Sequence, residues 1–324
     1  MKMALTDKKA GLIMGLIAAT SWSTYGTFTT ILSNQGFEAG TISLISPFFL
    51  IVMFLALSLA NGGVSALKVP KKALPFIICD GLCSAIYNFA AVQAYLYLPI
   101  GVVSTIIYAN LFCLLFICRF IWKDPITKQK LLAVGLAIFG VLLVANVFGA
   151  GGEGSMSLKG FIFAFMAMLS WSGLMTFETL AMERGVNPNA VCMYEGCFSF
   201  IIIGVTVSPA MILTNIGAVF AAKGAIVLLP ILGFGLITTM CAYFFYMHAL
   251  NKVLPTYVEI CYSLDPALSC IWGMIFFGQV LTGLQFLGIA IVLGAVIFEQ
   301  TYEMRAENKR IAEESIPSPT EATE

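Results

Sequence analysis

Polar side chains interrupt the long apolar stretches of this chain, and each one in lipid is costly. Asp265 lies near the middle of one stretch, and Pro266 after it cannot donate a backbone hydrogen bond to the carbonyl of Tyr262. An acid beside a freed carbonyl predicts a polar anchor for a solute amine or a proton. The alternative is a protonated Asp265 that hydrogen-bonds a neighbouring helix and has a structural role.

Asn110 holds the equivalent place in an earlier stretch and would supply a donor and an acceptor without charge, to a solute or to a neighbouring helix. Trp22 and Trp171 also lie in mid-stretch, although membrane Trp prefers the interface. Two flat rings facing each other predict a sandwich for an apolar or cationic group. Close helix packing around the two rings is the alternative.

Further rings and amides lie at similar depth and complete the predicted binding site. Tyr25 follows Trp22 by one helical turn and therefore shares its face. Aromatic stripes at helical spacing are more often core than solute contacts. The additional candidates are Tyr25, Tyr87, Asn88, Tyr108, Tyr243 and Tyr262.

A second group of titratable residues predicts a proton or cation relay. Glu178, Glu195 and Glu259 fall near the ends of their stretches, where they either snorkel to the interface or line an acidic vestibule. Glu178 also shares a helical face with Trp171, which adds it to the predicted substrate-binding residues. His248, the only histidine, would join the relay or be a satisfied interfacial side chain.

Composition places all these residues in a membrane protein. Of the 324 residues, 60% are hydrophobic and 10% are charged, and mean hydropathy is +0.95. A soluble domain carries about 25% charged residues. We therefore expect the lipid bilayer as solvent and a small molecule as the other partner. The net charge of zero argues against nucleic acid.

Metal, cofactor and enzyme chemistry are disfavoured. The nine cysteines lie in apolar segments without zinc-type spacing or a disulfide frame, and only Cys79 and Cys83 share a helix face. The chain has a single histidine, no HExxH, no G-x-S-x-G and no Walker A pattern. We predict no metal, no cofactor and no direct use of ATP.

Ten apolar stretches predict an all-α membrane protein with ten transmembrane helices. Asp80 and Arg119 lie at one level of a predicted hairpin and are expected to form a structural ion pair. Pairs of glycines, Gly135 with Gly140 and Gly288 with Gly294, predict close helix packing. The stretches run approximately over 10–32, 42–60, 73–96, 101–121, 129–147, 157–182, 190–213, 226–249, 255–276 and 283–301.

The distribution of basic residues predicts the orientation. With the N-terminus inside, fifteen of the 17 Lys and Arg residues fall on one side, and only Lys159 and Lys223 on the other. We therefore expect a multi-pass protein of the plasma (inner) membrane with both termini cytoplasmic. The segment 302–324 is predicted to be a polar cytoplasmic tail, with a short helix end followed by disorder.

The two halves resemble each other. GLIMGLIAATSWSTYGTFTT from Gly11 matches GFIFAFMAMLSWSGLMTFET from Gly160, and Asn110 later matches Asp265. Because five stretches make an odd number, the second copy would enter the membrane inverted, with the solute site between the copies. We predict repeats over 1–150 and 151–301. Two halves complete one pathway, so we expect a functional monomer.

The paired SW helices, the segment ALNKVLPTYVEICYSLDPALSCIWG and the closing stretch LTGLQFLGIAIVLGAV resemble the drug/metabolite transporter superfamily, EamA type. The resemblance covers nearly the whole chain. It implies a secondary transporter that works by alternating access and exports metabolites; members are linked to amino acids, nucleotide sugars and amines. Leu111 departs from the pattern where the second half has Pro266, so we expect span four to lack the corresponding kink.

The first hypothesis for the function is a transporter of small amphipathic metabolites, above all an amino-acid exporter. The alternative is an organic-cation carrier, for a quaternary amine or polyamine, that uses the intramembrane carboxylates. An intramembrane enzyme is a remote alternative. Phosphorylated solutes are disfavoured because the predicted mid-membrane region carries no Lys or Arg.

Overall fold

A computed structural model describes residues 5–123, 127–144, 157–250, 252, 261–262 and 264–314. Throughout these residues the chain forms helices and turns and no strand. The all-α prediction is confirmed.

The helices of the first half follow the predicted stretches. Short breaks divide three of these stretches into two helices each. The helices are α1 (Leu5–Ser23), α2 (Tyr25–Asn34), α3 (Ala39–Ile42), α4 (Ile45–Gly62), a 3₁₀ turn (Gly63–Leu67), α5 (Leu74–Tyr97), α6 (Ile100–Tyr108), α7 (Asn110–Ile121) and α8 (Lys128–Val144).

The second half has a comparable arrangement, with a π-helix inside the predicted eighth span. The elements are α9 (Leu158–Met182), α10 (Pro188–Val207), α11 (Pro209–Lys223), a 3₁₀ turn (Gly224–Val227), α12 (Leu228–Gly233), the π-helix (Phe234–Cys241), α13 (Ala242–Leu250), α14 (Asp265–Phe277) and α15 (Gly283–Glu314). The last helix continues well past residue 301, which confirms a helical start for the predicted tail.

Six helical stretches in the described part are long and apolar enough to cross a bilayer. They are Ala39–Leu67, Leu74–Tyr97, Ile100–Ile121, Leu158–Met182, Pro188–Val207 and Pro209–Ala249. Shorter apolar helices occupy Leu131–Leu143, Asp265–Phe277 and Gly283–Phe298. The chain is therefore a multi-pass helical membrane protein, and the count of ten spans stays a prediction.

Span four is interrupted although it contains no proline. The N–H of Ala109 bonds to the carbonyls of both Thr105 and Ile106, each at 3.2 Å, and α7 begins anew at Asn110. This tightening of the last turn of α6 replaces the helical ladder locally. Leu111 was expected to leave span four without the kink that Pro266 gives the second half, which stays a prediction; the break at Ala109 shows that an interruption does not require proline.

The predicted seventh span ends earlier than expected. Helix α10 stops at Val207, Ser208 adopts a φ of +77°, and α11 begins at Pro209. The Asn215 amide of α11 donates to the Gly36 carbonyl (3.0 Å) and accepts from the Glu38 N–H (3.0 Å). Helix α11 is thereby held against the turn between α2 and α3, a contact that its apolar sequence did not reveal.

The two ends of the bundle differ in charge, and each is held by polar contacts. The basic face carries the starts of α5 and α10 and the ends of α7 and α9. There the Trp122 indole donates to Glu183 (2.7 Å), and Tyr194 donates to the Leu67 carbonyl (2.9 Å). On the opposite face, Lys159 donates to the Tyr97 hydroxyl (2.8 Å). The basic residues of the first end are Lys68, Lys71, Lys72, Arg119, Lys123 and Arg184.

Asp80 and Arg119 do not form the predicted ion pair. Arg119 is exposed and donates to the carbonyl of Lys123 (3.2 Å), on its own helix end. Asp80 is completely buried where α5 packs against α9 and α10. The two residues lie at a similar depth in the sequence, but Asp80 lies on the side of α5 that packs against α9 and α10, away from Arg119.

The close helix packing predicted at four glycines forms at only some of them. A Cβ on Gly140 would lie 2.8 Å from the Gly288 carbonyl, so α8 and α15 touch backbone to backbone there. Nothing lies within 4 Å of a Cβ built on Gly135 or Gly294. Close packing therefore rests on Gly140 and Gly288.

Candidate functional site

A cavity of about 110 Å³ lies in the middle of the bundle. All eleven residues predicted to bind substrate line it, and so does Glu195. They are Trp22, Tyr25, Tyr87, Asn88, Tyr108, Asn110, Trp171, Glu178, Tyr243, Tyr262 and Asp265. Residues that are far apart in the sequence thus converge on one site.

Trp22 is the centre of the aromatic wall. Its ring centroid lies 4.9 Å from that of Tyr262, 5.1 Å from Tyr243, 5.5 Å from Tyr246 and 6.4 Å from Trp171. The edge of one indole points at the face of the other, at an interplanar angle of 84°. They do not form the parallel sandwich expected from the sequence, because an edge-to-face arrangement suits their quadrupoles better. The indoles make one continuous wall.

The aromatic wall continues from Trp171 to the first half of the chain. Tyr87 packs against Trp171 at 4.7 Å, and Tyr25 lies 6.3 Å from Tyr87 and 5.9 Å from Tyr95. Burial of these rings leaves their hydroxyl groups in need of partners. The hydroxyls of Tyr25 and Tyr95 each begin a chain of hydrogen bonds.

The first hydrogen-bond chain runs from Tyr25 to a carboxyl group. The Tyr25 hydroxyl donates to Asn88 Oδ1 (3.2 Å), and Asn88 Nδ2 donates to the Ser84 carbonyl (2.9 Å) and hydroxyl (3.3 Å). The Ser84 hydroxyl donates to Glu195 Oε1 (2.9 Å). Ser84 and Asn88 lie one turn apart on α5, so this helix presents a polar stripe to α10.

The second chain ends on Asp265. The hydroxyls of Tyr95 and Ser104 are 3.0 Å apart. The Ser104 hydroxyl donates to that of Ser269 (2.9 Å), which in turn donates to Asp265 Oδ1 (3.0 Å). The Ser269 hydroxyl also lies 3.2 Å from the Ser23 carbonyl. Asp265 therefore has a hydrogen-bonded carboxyl that is only partly buried, with one side toward the cavity.

Three interrupted helices begin at the cavity wall. Tyr25 is the first residue of α2, Asn110 of α7 and Asp265 of α14, and all three line the cavity. At the first break the Thr24 hydroxyl lies 2.8 Å from that of Thr238, in the π-helix. Helix N-termini carry a partial positive charge, which favours an anionic group nearby.

Asn110 is held by contacts to α9. Its amide donates to the sulfur of Met175 (3.6 Å), and its backbone carbonyl accepts from Ser172 (3.2 Å). Both of the alternatives drawn from the sequence, solute contact and helix packing, therefore have support, because Asn110 also lines the cavity.

Glu178 and Glu195 face the interior of the bundle. Glu195 is 2% exposed, and Glu178 accepts a long hydrogen bond from Cys192 (3.7 Å). Snorkelling to the interface, the alternative drawn from the sequence, was wrong, because both carboxyl groups line the cavity. With Asp265 they give the lining three acids, and no Lys or Arg belongs to the part of it that the structure describes.

One residue of the predicted relay, His248, lies away from the cavity. His248 is exposed at the end of α13, where its ring packs at a tilt against Phe244, with centroids 4.1 Å apart, and Nδ1 lies 2.8 Å from the Phe244 carbonyl. Glu259 lies outside the described residues. Of the relay candidates that the structure describes, Glu178 and Glu195 line the cavity and His248 does not.

Several lining residues were missed in the sequence. Tyr246 follows Tyr243 by one turn, and Tyr95 follows Asn88 by two turns, so helical spacing alone identifies both. Thr238 had no such signal, because its position depends on the π-helix. The additional lining residues are Ser46, Leu50, Tyr95, Ser104, Ile107, Leu174, Met175, Thr238 and Tyr246.

Comparison with known proteins assigns the family. The model of the EamA-like transporter family matches residues 9–146 and 158–298, which together span most of the chain. This chain belongs to the EamA-like transporter family. As an EamA-type protein of the drug/metabolite transporter superfamily, it is a membrane transporter.

Relatives of this EamA protein are named as transporters or efflux pumps. It is 27% identical to "Uncharacterized transporter YwfM" of Bacillus subtilis (strain 168), over 86% of this chain and 89% of the relative. It is 22% identical to "Probable amino-acid metabolite efflux pump" of Salmonella typhimurium (strain LT2), over 70% and 77%. A crystal structure with 16% identity superposes with a TM-score of 0.59 over 92% of this chain and 99% of that one, which supports the fold.

Proposed function

We propose that the protein is a secondary transporter of small amphipathic metabolites, above all an exporter of aromatic or otherwise apolar amino acids. The observation that carries the proposal is the central cavity, where an aromatic wall around Trp22 lies beside Asp265, Glu178 and Glu195. The Salmonella relative named as an amino-acid metabolite efflux pump supports the same class of solute.

The polar groups of the cavity suit both ends of an amino acid. The carboxyls of Asp265, Glu178 and Glu195 would attract the ammonium group. The start of α7, with the Asn110 amide, would favour the carboxylate, as half-helix N-termini do in other transporters. An apolar side chain would pack against the rings.

The volume of the cavity limits the size of the solute. Pockets for drug-sized ligands measure about 300–1,000 Å³. The cavity of about 110 Å³ is far smaller. It therefore suits a compact metabolite better than a large drug or a sugar nucleotide.

For the transport cycle we propose alternating access about this cavity. Trp22 and Trp171, from the matched segments of the two halves, meet in its wall. This contact supports inverted repeats over 1–150 and 151–301 that move against each other around a central site. One chain contributes both halves, so we propose a functional monomer.

The orientation follows from the basic face. If Lys68, Lys71, Lys72 and Arg184 mark the cytoplasmic side, both termini and the tail 302–324 are cytoplasmic in a plasma (inner) membrane. Glu195 would then lie on the cytoplasmic route into the cavity, and a role of Glu259 and His248 in proton or cation passage stays a prediction.

An organic-cation carrier is the second candidate. Three cavity carboxyls without a lining Lys or Arg among the described residues favour a cation, and rings beside them suit a quaternary amine or polyamine. Unlike an amino-acid exporter, a cation carrier needs no group that binds a solute carboxylate.

A thermal-shift screen in detergent, followed by flux into liposomes, tests the proposal. Ligands that bind the folded state raise its melting temperature by mass action. We expect L-phenylalanine to stabilise the protein and its methyl ester, a cation without the carboxylate, to do so less. Choline or spermidine as the sole stabilising ligands would move the assignment to the cation carrier. Conversion of the solute in the liposomes would indicate an enzyme.

A further inference from the structure

A second buried acid lies just outside the cavity and has no role in the site described above. Asp80 of α5 is 0% exposed, and neither of its carboxyl oxygens has a hydrogen-bond partner among the described residues. Buried polar atoms in folded proteins almost always have partners, so an orphaned carboxyl calls for an explanation.

The surroundings of Asp80 are dry because helices approach closely there. Next to it, a Cβ on Gly81 would collide with the Cβ of Phe198 in α10, and one on Gly173 in α9 would lie 2.8 Å from the sulfur of Cys83. Towards the basic face, Ile77 and Val191 belong to an apolar cluster between the same helices. Bulk water is therefore kept from Asp80 in this conformation.

The titratable groups that face Asp80 are acids and thiols. Glu195 and Cys192 of α10 and Glu178 of α9 lie near enough to interact with it electrostatically, and Cys79 and Cys83 flank it on α5 itself. No basic side chain of the described chain belongs to this group.

The nearby arginine is engaged elsewhere. Arg184, at the end of α9, stacks 3.9 Å above the ring of Phe76 and donates to the Leu180 carbonyl (2.6 Å). Its charge therefore does not neutralise the Asp80 carboxyl by a direct contact.

An ionised carboxyl in such a place is strongly disfavoured, because it has neither water nor a counter-charge. A bound proton removes the charge. A proton fits this site because it neutralises the carboxyl without needing further ligands, and neither carboxyl oxygen has a partner among the described residues.

Asp80 is close to the solute site through Glu195. Ser84, one turn after Asp80 on α5, donates to Glu195, and Glu195 lines the cavity. A solute ammonium group beside Glu195 would neutralise its negative charge. The repulsion that opposes an ionised Asp80 would then weaken, and Asp80 could release its proton once the basic face opens and water reaches the carboxyl.

We propose that Asp80 is the binding site for the coupling proton, separate from the cavity, and that one solute ammonium at Glu195 exchanges for one proton at Asp80. This proposal rests on the proposed function for its solute. In the exchange, the Asp80 O–H bond breaks and its electron pair stays on the carboxylate. The proton passes to water on the basic face when that face opens, and no oxidant or co-reactant is needed.

Infrared difference spectroscopy tests the proton site without any solute, because the carbonyl stretch of a protonated carboxyl is distinct from that of a carboxylate. We expect the purified protein to show a protonated-carboxyl band at neutral pH that disappears in alkali. Asp80→Asn should lower the band by the intensity of one carboxyl, whereas Glu38→Gln, at an exposed acid, should leave it. A band unchanged in Asp80→Asn would refute the proton site. Asp80→Leu repeats the test should the asparagine not fold.

Liposome flux tests the coupling, with radiolabelled L-phenylalanine as the probe. We expect a pH gradient to accelerate uptake by wild type, and Asp80→Asn to keep solute exchange at equal pH but lose the acceleration. A variant that still responds to the gradient would overturn the coupling role, and so would a wild type driven by a sodium gradient instead. A wild type that exchanges no phenylalanine would contradict the proposed function, while the infrared band still decides the proton site.

Discussion

The Tyr25 hydroxyl donates a 3.2 Å hydrogen bond to Asn88 Oδ1 across the cavity wall, and this bond starts the chain that ends on Glu195. Tyr25→Phe removes the donor and leaves a buried amide oxygen without it. Loss of one partner of a buried hydrogen bond costs about 1–3 kcal/mol. We therefore expect a lower melting temperature in detergent and slower solute exchange in liposomes.

A tyrosine outside the cavity provides the control. Tyr97 accepts a hydrogen bond from Lys159 on the opposite face and is itself exposed. Tyr97→Phe should change neither melting temperature nor exchange by a comparable amount. Equal effects of the two substitutions would mean that the Tyr25 chain has no special role.

The two central tryptophans should differ in their importance. Trp22 contacts four aromatic rings, whereas the ring of Trp171 contacts those of Trp22 and Tyr87. Each aromatic pair contributes about 0.5–1.5 kcal/mol beyond area burial. We expect Trp22→Phe to reduce the free energy of unfolding, and the affinity for aromatic solutes, more than Trp171→Phe does.

Thermal unfolding and ligand titration of both variants measure this difference, with Trp122→Phe on the basic face as the control. If Trp171→Phe is the more damaging of the two, the solute contacts the second half of the chain and Trp22 is mainly a packing residue.

The composition of the cavity could be predicted from the sequence because the membrane makes buried polarity expensive. A carboxyl such as Asp265 or an amide such as Asn110 persists in an apolar helix only where it faces other protein or a cavity. Such groups at mid-span depth therefore line one space. Their depth follows from the lengths of the apolar stretches.

What depth could not provide was the face of each helix. Asp80 and Arg119 share a level, but Asp80 points to α9 and α10, so the predicted pair was wrong. The angle between Trp22 and Trp171 depends on side-chain rotamers, which residue spacing does not specify. The break at Ala109 likewise has no residue signal, since it arises from local tightening of the helix.

Two glycines of α8 offer a matched test of helix packing. A Cβ on Gly140 would lie 2.7 Å from Val292 Cγ2 and 2.8 Å from the Gly288 carbonyl, and the carbonyl cannot move without its helix. Gly140→Ala should therefore destabilise the protein, by about 1–3 kcal/mol for an overpacked contact.

Gly135→Ala is the control on the same helix, because its Cβ meets nothing within 4 Å. Alanine there should leave stability unchanged or raise it, by about 1 kcal/mol at most, through helix propensity. Unfolding in detergent measures both variants. Similar stabilities for the two would show that α8 and α15 separate readily, contrary to their backbone contact.

Asp265→Asn tests the central acid. Asparagine keeps an oxygen that can accept from Ser269, so we expect the variant to fold and melt near the wild-type temperature. It lacks the charge, and a hydrogen bond to a charged group contributes about 1.5–3 kcal/mol. The affinity for a solute amine should therefore fall by about tenfold to a hundredfold, and coupled transport should be lost. Titration of the purified variant and flux in liposomes measure the two effects, with Glu38→Gln as a charge-matched control. Normal binding and transport by Asp265→Asn would show that its carboxyl only holds α14 in place through Ser269.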